Sequence, residues 1–162
     1  MITRHNIAGI DPGLQGALCI LSEEGTVLDL LDLPAIVVRA KPRKVELDEP
    51  RIRDILMEWN IRHCFMEKAQ AMPKQGISST AHYMTSYGVL RGILVGLGIP
   101  STLVSPATWK KSMMPEMARR EKGADMVRAK QLFPGLELDR VKDHHKADAV
   151  LICEYGRRML RS

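Results

Sequence analysis

The order of its apolar segments constrains this chain more than any other feature. Three extended runs open it, over residues 7–10, 17–22 and 26–33, with the turn residues Asp11-Pro12-Gly13 and Glu24-Gly25 between them. The second and third are close enough for a hairpin, so the opening predicts an antiparallel meander. Helical and extended patterns then alternate. Asp48 is placed to cap a helix over 49–60, where Ile52, Ile55, Leu56 and Trp59 recur on one face, and a short strand follows over 63–67. Residues 80–97 have helical periodicity, with Gly88, Gly92 and Gly96 at every fourth position, a spacing that permits close approach of a partner helix. Residues 101–104 form a fifth strand, and Ser105-Pro106 opens a helical turn. A helix over 122–133 is stopped by Pro134-Gly135, and a last helix starts at Asp143, its expected N-cap, and runs to about residue 160. This order predicts an α/β architecture, a mixed five-stranded sheet flanked by helices.

A length of 162 residues with 45% apolar content suits one domain, 1–162, and no internal repeat or linker suggests a second. Cys19, Cys64 and Cys153 are odd in number, far apart and set in apolar runs, which predicts reduced core thiols and excludes a CxxC metal knuckle. The N-terminus has no signal-peptide stretch, and no segment approaches the roughly 18 consecutive apolar residues of a membrane span. A cytoplasmic protein with no membrane partner is expected.

Twenty-four Lys and Arg against 19 Asp and Glu give a formal charge of +5, which favours an anionic partner. The segment 34–50 concentrates Arg39, Lys41, Arg43 and Lys44 between prolines and reads as a basic loop or ribbon. Its cations either contact phosphates or form an ordinary solvated charge run, and the same alternatives stand for Arg119 and Arg120. A further loop over 70–79 carries Lys74 and Gln75.

Three acids stand at the polar ends of apolar elements. Asp11 closes the first strand before Pro12-Gly13, where it either starts a turn or holds a ligand. Glu67 closes Cys64-Phe65-Met66-Glu67. Asp148 follows Asp143-His144-His145-Lys146-Ala147 and precedes the apolar run 149–153. A helix places either His145 (three residues before) or His144 (four before) on the face of Asp148, and His145 is the expected functional histidine. Three carboxylates in one pocket would repel one another and raise their pKa values unless cations were present. Oxygen ligands suit magnesium, with manganese as a substitute, and two such ions would serve an in-line phosphodiester displacement.

On these residues the chain resembles the RuvC-type Holliday junction resolvases of the RNase H-like superfamily. Ile7-Ala8-Gly9-Ile10-Asp11-Pro12-Gly13 with Gly16-Ala17 is similar to their first-strand motif, Met66-Glu67-Lys68 to their second acidic motif, and Lys146-Ala147-Asp148-Ala149 to their C-terminal one. Val104-Ser105-Pro106-Ala107-Thr108-Trp109-Lys110-Lys111 is similar to the family's fifth strand and following basic turn. Met72-Pro73-Lys74-Gln75-Gly76 and the segment 142–148 look closest to phage-borne and plant chloroplast members. The resemblance implies an RNase H-like fold and a metal-dependent endonuclease that cuts branched, four-way DNA as a homodimer. It implies metal ligation by Asp11, Glu67, Asp148 and His145, with Lys110 and Lys122 approaching the scissile phosphates. DNA contacts are expected from Lys41, Arg43, Lys44, Lys68, Lys74, Gln75, Lys110, Lys111, Arg119, Arg120 and Lys122. The helix over 80–97 corresponds to the family's dimer-interface region. One departure is the loop after Glu67, where Gln70, Ala71 and Met72 stand in place of the aromatic some members carry.

Three other readings are weighed against this one. An actin-like kinase or ATPase also begins with strand, Asp and glycines, but needs two such lobes. A non-catalytic junction-binding protein need not keep all three acids. Another nuclease of the same fold, acting on RNA–DNA hybrids or flaps, is separated only by substrate.

Overall fold

A computed structural model of the chain describes residues 5–70, 74, 76–116 and 121–162. Strands β1 (Asn6–Asp11), β2 (Ala17–Leu21) and β3 (Val27–Asp32) form the meander. After a separate two-stranded ribbon, β4 (Ala35–Arg39) and β5 (Lys44–Leu47), come helix α1 (Glu49–Glu58), strand β6 (Ile61–Glu67) and helix α2 (Ile77–Gly96). Strand β7 (Ser101–Val104) and helices α3 (Pro106–Met113), α4 (Ala124–Leu132) and α5 (His144–Arg161) complete the chain, with a 3-10 turn (Val141–Asp143) leading into α5.

The main sheet has the order β3-β2-β1-β6-β7. The first three strands are antiparallel, while β6 and β7 run parallel to β1. The mixed five-stranded sheet expected from the sequence is therefore present. Alternation along the strands sends Ile7, Ala17, Cys19, Leu21 and Phe65 to one face, against α3, α4 and α5. Ala8, Ile10, Leu18, Ile20, Cys64 and Met66 face the other way, against α1 and α2. The three cysteines are buried and unpaired. Among the described residues no helix is long and apolar enough to cross a membrane.

Helix α5 lies unusually close to the sheet. A Cβ on Gly9 would sit 2.4 Å from the Cβ of Cys153 and 2.5 Å from the carbonyl oxygen of Ala149, and one on Gly156 would enter the ring of Phe65. The missing side chains at these two positions let α5 settle across β1 and β6, and this fixes how far its N-terminal turn stands from the strand ends.

Of the loop or ribbon expected for the basic segment, the ribbon is present, with Arg39 paired to Lys44. Several other local expectations need correction. Helix α2 begins three residues earlier than its periodicity suggests. The glycines Gly88, Gly92 and Gly96 have open space where a Cβ would stand, so among the described residues no other helix packs on them. Asp143 stands at the N-cap position of α5 as expected, but its side chain makes no capping hydrogen bond there. Its carboxylate turns back to accept from the backbone N–H and the guanidinium of Arg140, because a nearby cation and a tight turn outcompete the helix N–H groups.

Candidate active site

The register of the sheet places the acids. Ile10 pairs with Met66, so Asp11 and Glu67 end neighbouring parallel strands one step further on. Both follow the alternation of Gly9 and Phe65 and so project to the face covered by α5. Asp11 also pairs with Ala17, which pairs in turn with Asp32. The carboxylates of Asp32, Asp11 and Glu67 thus share one row and one face. The first turns of α5 hang over this row, bringing His145 and Asp148 to it.

Each of these groups has a distinct environment. Asp11 is 7% exposed and its Oδ2 accepts from Nδ1 of His145 at 2.7 Å. That hydrogen bond, working against burial, raises the pKa of the His145 imidazole above its ordinary value. Glu67 Oε2 accepts from Nε1 of the fully buried Trp109 at 2.7 Å. Burial nonetheless dominates at Glu67 and raises its pKa, with the charge of Asp11 adding to the effect. Asp148 is the most perturbed. Burial and then the charge of Asp11 push its carboxyl up to about 8, and Oδ1 is shut off from solvent with no hydrogen-bond partner.

His144 is arranged differently from its neighbour. It is exposed, its Nδ1 meets the carbonyl of Val141 at 2.9 Å, and its ring centre lies 3.9 Å from that of His145. The structure therefore brings His145, and not His144, against Asp11.

The cations divide into two groups. Lys110 is half-buried, with its ammonium 5.2 Å from the ring centre of Trp109, and its charge favours ionisation of both Glu67 and Asp148. Lys111 is exposed on the same helix, and Lys68 is exposed just beyond Glu67. Lys122 stands exposed in the turn before α4, tied by no ion pair to the acids. Lys41, Arg43 and Lys44 are exposed on the ribbon, where Lys44 pairs with Glu46 at 2.5 Å. Lys74 is exposed as well. Gln75, Arg119 and Arg120 lie outside the described residues.

The sequence reading missed several residues of the site. Trp109 is the donor that holds Glu67. Tyr83 of α2 stands 3.5 Å from where a Gly13 Cβ would be; burial, then the charges of Glu67 and Asp11, push its phenol up to about 12. Asp125, at the start of α4, adds a negative charge felt by both His145 and Asp148. A Trp two residues before Lys111 and an acid in a helix's first turn carry no signal in the sequence that points to Glu67 or Asp148.

Among the described residues no three acid, Cys or His side chains stand close enough together to grip one ion as they are placed. The donor set nevertheless fits a hard divalent cation. It supplies carboxylate oxygens with raised pKa values, one imidazole, and one buried oxygen on Asp148 without a partner.

No family model matches the chain, and no curated protein matches it in sequence. Solved structures do. RuvC of T. thermophilus in complex with a Holliday junction substrate is 16% identical, with 96% of each chain covered and a TM-score of 0.66. The Fowlpox virus resolvase with its Holliday junction DNA is 13% identical over 94% of this chain and 99% of that one, TM-score 0.51. The yeast mitochondrial Holliday junction resolvase is 13% identical over 96% and 80%, TM-score 0.50. At these identities the likeness speaks for architecture, and it establishes that this chain has the RNase H-like fold of the RuvC resolvases.

Proposed function

We propose that this protein is a structure-selective endonuclease that resolves four-way DNA junctions by metal-dependent phosphodiester hydrolysis. The observation that carries the reading is the gathering of Asp11, Glu67, His145 and Asp148 at one end of the sheet, with Asp148 Oδ1 buried and unpartnered. The neighbours of the same fold that were solved with Holliday junction DNA support the substrate.

Asp11, Glu67, Asp148 and His145 would hold divalent magnesium, with manganese able to substitute. Such ions, when bound, neutralise charge at the scissile phosphate and lower the pKa of the attacking water. The chain's own groups do the rest. His145 donates Nδ1–H to Asp11 in its present contact, so Nδ1 has to lose that proton before it can act as a ligand, whereas Nε2 of the neutral ring is free to accept one. Trp109 fixes one oxygen of Glu67 and so limits the carboxylate's rotation. Lys110 adds a positive charge where the phosphate would approach. In the reaction a water oxygen bonds to phosphorus, the bond to one sugar oxygen breaks, and that oxygen takes up a proton. The test is a rate comparison in magnesium between a four-way junction, an RNA–DNA hybrid and a flapped duplex. Fastest cleavage of the junction supports the reading, and preference for the hybrid replaces it with a ribonuclease.

The ribbon is the proposed phosphate-contacting arm. Replacing Lys41, Arg43 and Lys44 together by Ala should weaken junction binding and lower the slope of log affinity against log salt by up to about 3, each lost phosphate contact removing roughly 0.9. An unchanged slope measured by fluorescence anisotropy would leave these residues as solvated surface.

Paired cutting requires two copies. Ile77, Met84 and Val95 are exposed along α2, at 91%, 42% and 77%, on the same side as the open Gly88 and Gly92. A two-fold dimer through this face would present two sites to opposed strands. Sedimentation at micromolar concentration should give a dimer, and Gly92→Leu should shift it toward monomer. A monomeric wild type would contradict the arrangement.

A further inference from the structure

We infer that Arg140 is a positioning residue, tying the end of β3 to the first turn of α5 so that His145 stands against Asp11. This rests on the reading of the acid cluster as a metal centre.

The guanidinium of Arg140 spans two acids. Nη1 and Nη2 each donate to the carboxylate of Asp32 at 3.0 Å, and Nε donates to Asp143 Oδ1 at 2.8 Å. The backbone N–H of Arg140 donates to the other oxygen of Asp143, also at 2.8 Å. Asp143 is only 2% exposed, and the Arg140 hydrogen bonds hold its carboxyl below the usual range. Lys142 adds an ion pair to Asp32 at 2.8 Å.

The arrangement closes a ring. In one direction Asp32 reaches Asp11 through the sheet, by the pairing of Asp32 with Ala17 and of Ala17 with Asp11. In the other it reaches Asp11 through Arg140, Asp143, the start of α5 and the 2.7 Å contact of His145. A second strut supports His145. The carbonyl of Val141, in the turn that Arg140 and Asp143 shape, meets His144, whose ring lies against that of His145. Three residues from the turn therefore set the position of one imidazole.

A purely stabilising pair is the competing account. Arg140 has 47% of its side chain in solvent and Asp32 32%, and exposed ion pairs contribute little to stability. The hydrogen bonds of the guanidinium instead impose direction, since a planar fork fixes the carboxylates it spans. Residues that orient a ligand from outside its direct contacts lower metal affinity or activity about 10- to 100-fold when lost.

The test uses metal-free protein labelled with nitrogen-15 at histidine. Long-range proton–nitrogen spectra read whether Nδ1 of His145 is protonated and bonded to a carboxylate. Wild type should give that signature, Arg140→Gln should lose it, and Arg140→Lys should recover it in part. Manganese affinity, titrated with the metal alone, should fall about tenfold in Arg140→Gln. Ile55→Val, on the opposite face of the sheet, is the control for lowered stability. If Arg140→Gln leaves Asp143 unpaired and fails to fold, Asp32→Ala carries the test, because it keeps the Arg140–Asp143 contact while removing both acceptor oxygens that tether Arg140 to β3. An unchanged His145 signature in the folded Arg140 or Asp32 variant, or an equal change in Ile55→Val, overturns the inference. The imidazole readout needs neither DNA nor metal. A protein that never cuts junctions would therefore sink the proposed function without touching this result.

Discussion

Asp11→Asn, Glu67→Gln and Asp148→Asn should each lower junction cleavage by at least about a thousandfold, roughly 4 kcal/mol of barrier at about 1.4 kcal/mol per decade. Junction affinity should change little, since the exposed cations of the ribbon, Lys41, Arg43 and Lys44, remain in every variant. The expected loss is large because the three carboxylates act together. Asp11 and Glu67 stand side by side at the strand ends under α5, which brings Asp148 to them, and each removal takes a carboxylate ligand from a site that has to hold a cation. Single-turnover cleavage and anisotropy on the same junction separate the two effects. Near-wild-type turnover in any one variant would remove that residue from the site. Weakened binding with intact turnover would move it to the DNA interface.

The second large effect concerns stability and follows from the raised pKa of Asp148, pushed up to about 8 from an ordinary 3.8. The folded state holds this proton more tightly than the unfolded state does. Below about pH 4 both states are protonated and the favourable contribution is fully present. As pH rises toward 8 the unfolded carboxyl ionises freely while the buried one resists, so stability is lost through that window. The ceiling is about 1.4 kcal/mol per pH unit, and coupling to Asp11 and Glu67 spreads the loss among the three groups. In chelator, the melting temperature of the wild type should therefore fall by several degrees, on the order of 10 °C, between pH 5 and pH 8. Asp148→Asn should flatten this fall and melt higher than wild type at pH 8. Adding manganese at pH 8 should raise the wild-type melting temperature, because an ion that binds only the folded state stabilises it, and the variant should gain less. Parallel melting curves for the two proteins across this pH range would mean that Asp148 carries no buried charge.

Much of this site is legible in the sequence because its acids sit at places where local pattern has a structural meaning. Asp11 and Glu67 close apolar strands, so alternation and strand direction are enough to put both at one end of a parallel pair. The helical spacing of 145 and 148 puts an imidazole and a carboxylate on one face. The open glycines of α2 are likewise visible as a repeat. The rest depends on register between distant strands, which no local pattern carries. Trp109 meets Glu67 across 42 residues, and Arg140 meets Asp32 across 108. Asp143 illustrates how a sound local rule fails. An acid before a helix is ordinarily a cap, but here Arg140, three residues earlier, offers a charged donor in a turn tight enough to reach, and it wins over a helix N–H. The closeness of α5 to the sheet is signalled only by Gly9 and Gly156. Their meaning emerges once the backbone of Cys153 and the ring of Phe65 are known to lie against them.

The proposed enzyme cuts four-way DNA with one divalent-metal centre at the end of β1 and β6 in each of two copies. Mapping, at single-nucleotide resolution, the ends that the wild type produces from a junction labelled on all four strands in magnesium tests this. Two nicks at symmetry-related positions on opposed strands are expected, with no products in chelator and none from Asp11→Asn. Single unpaired nicks, faster cutting of an RNA–DNA hybrid, or products that persist in chelator would contradict it.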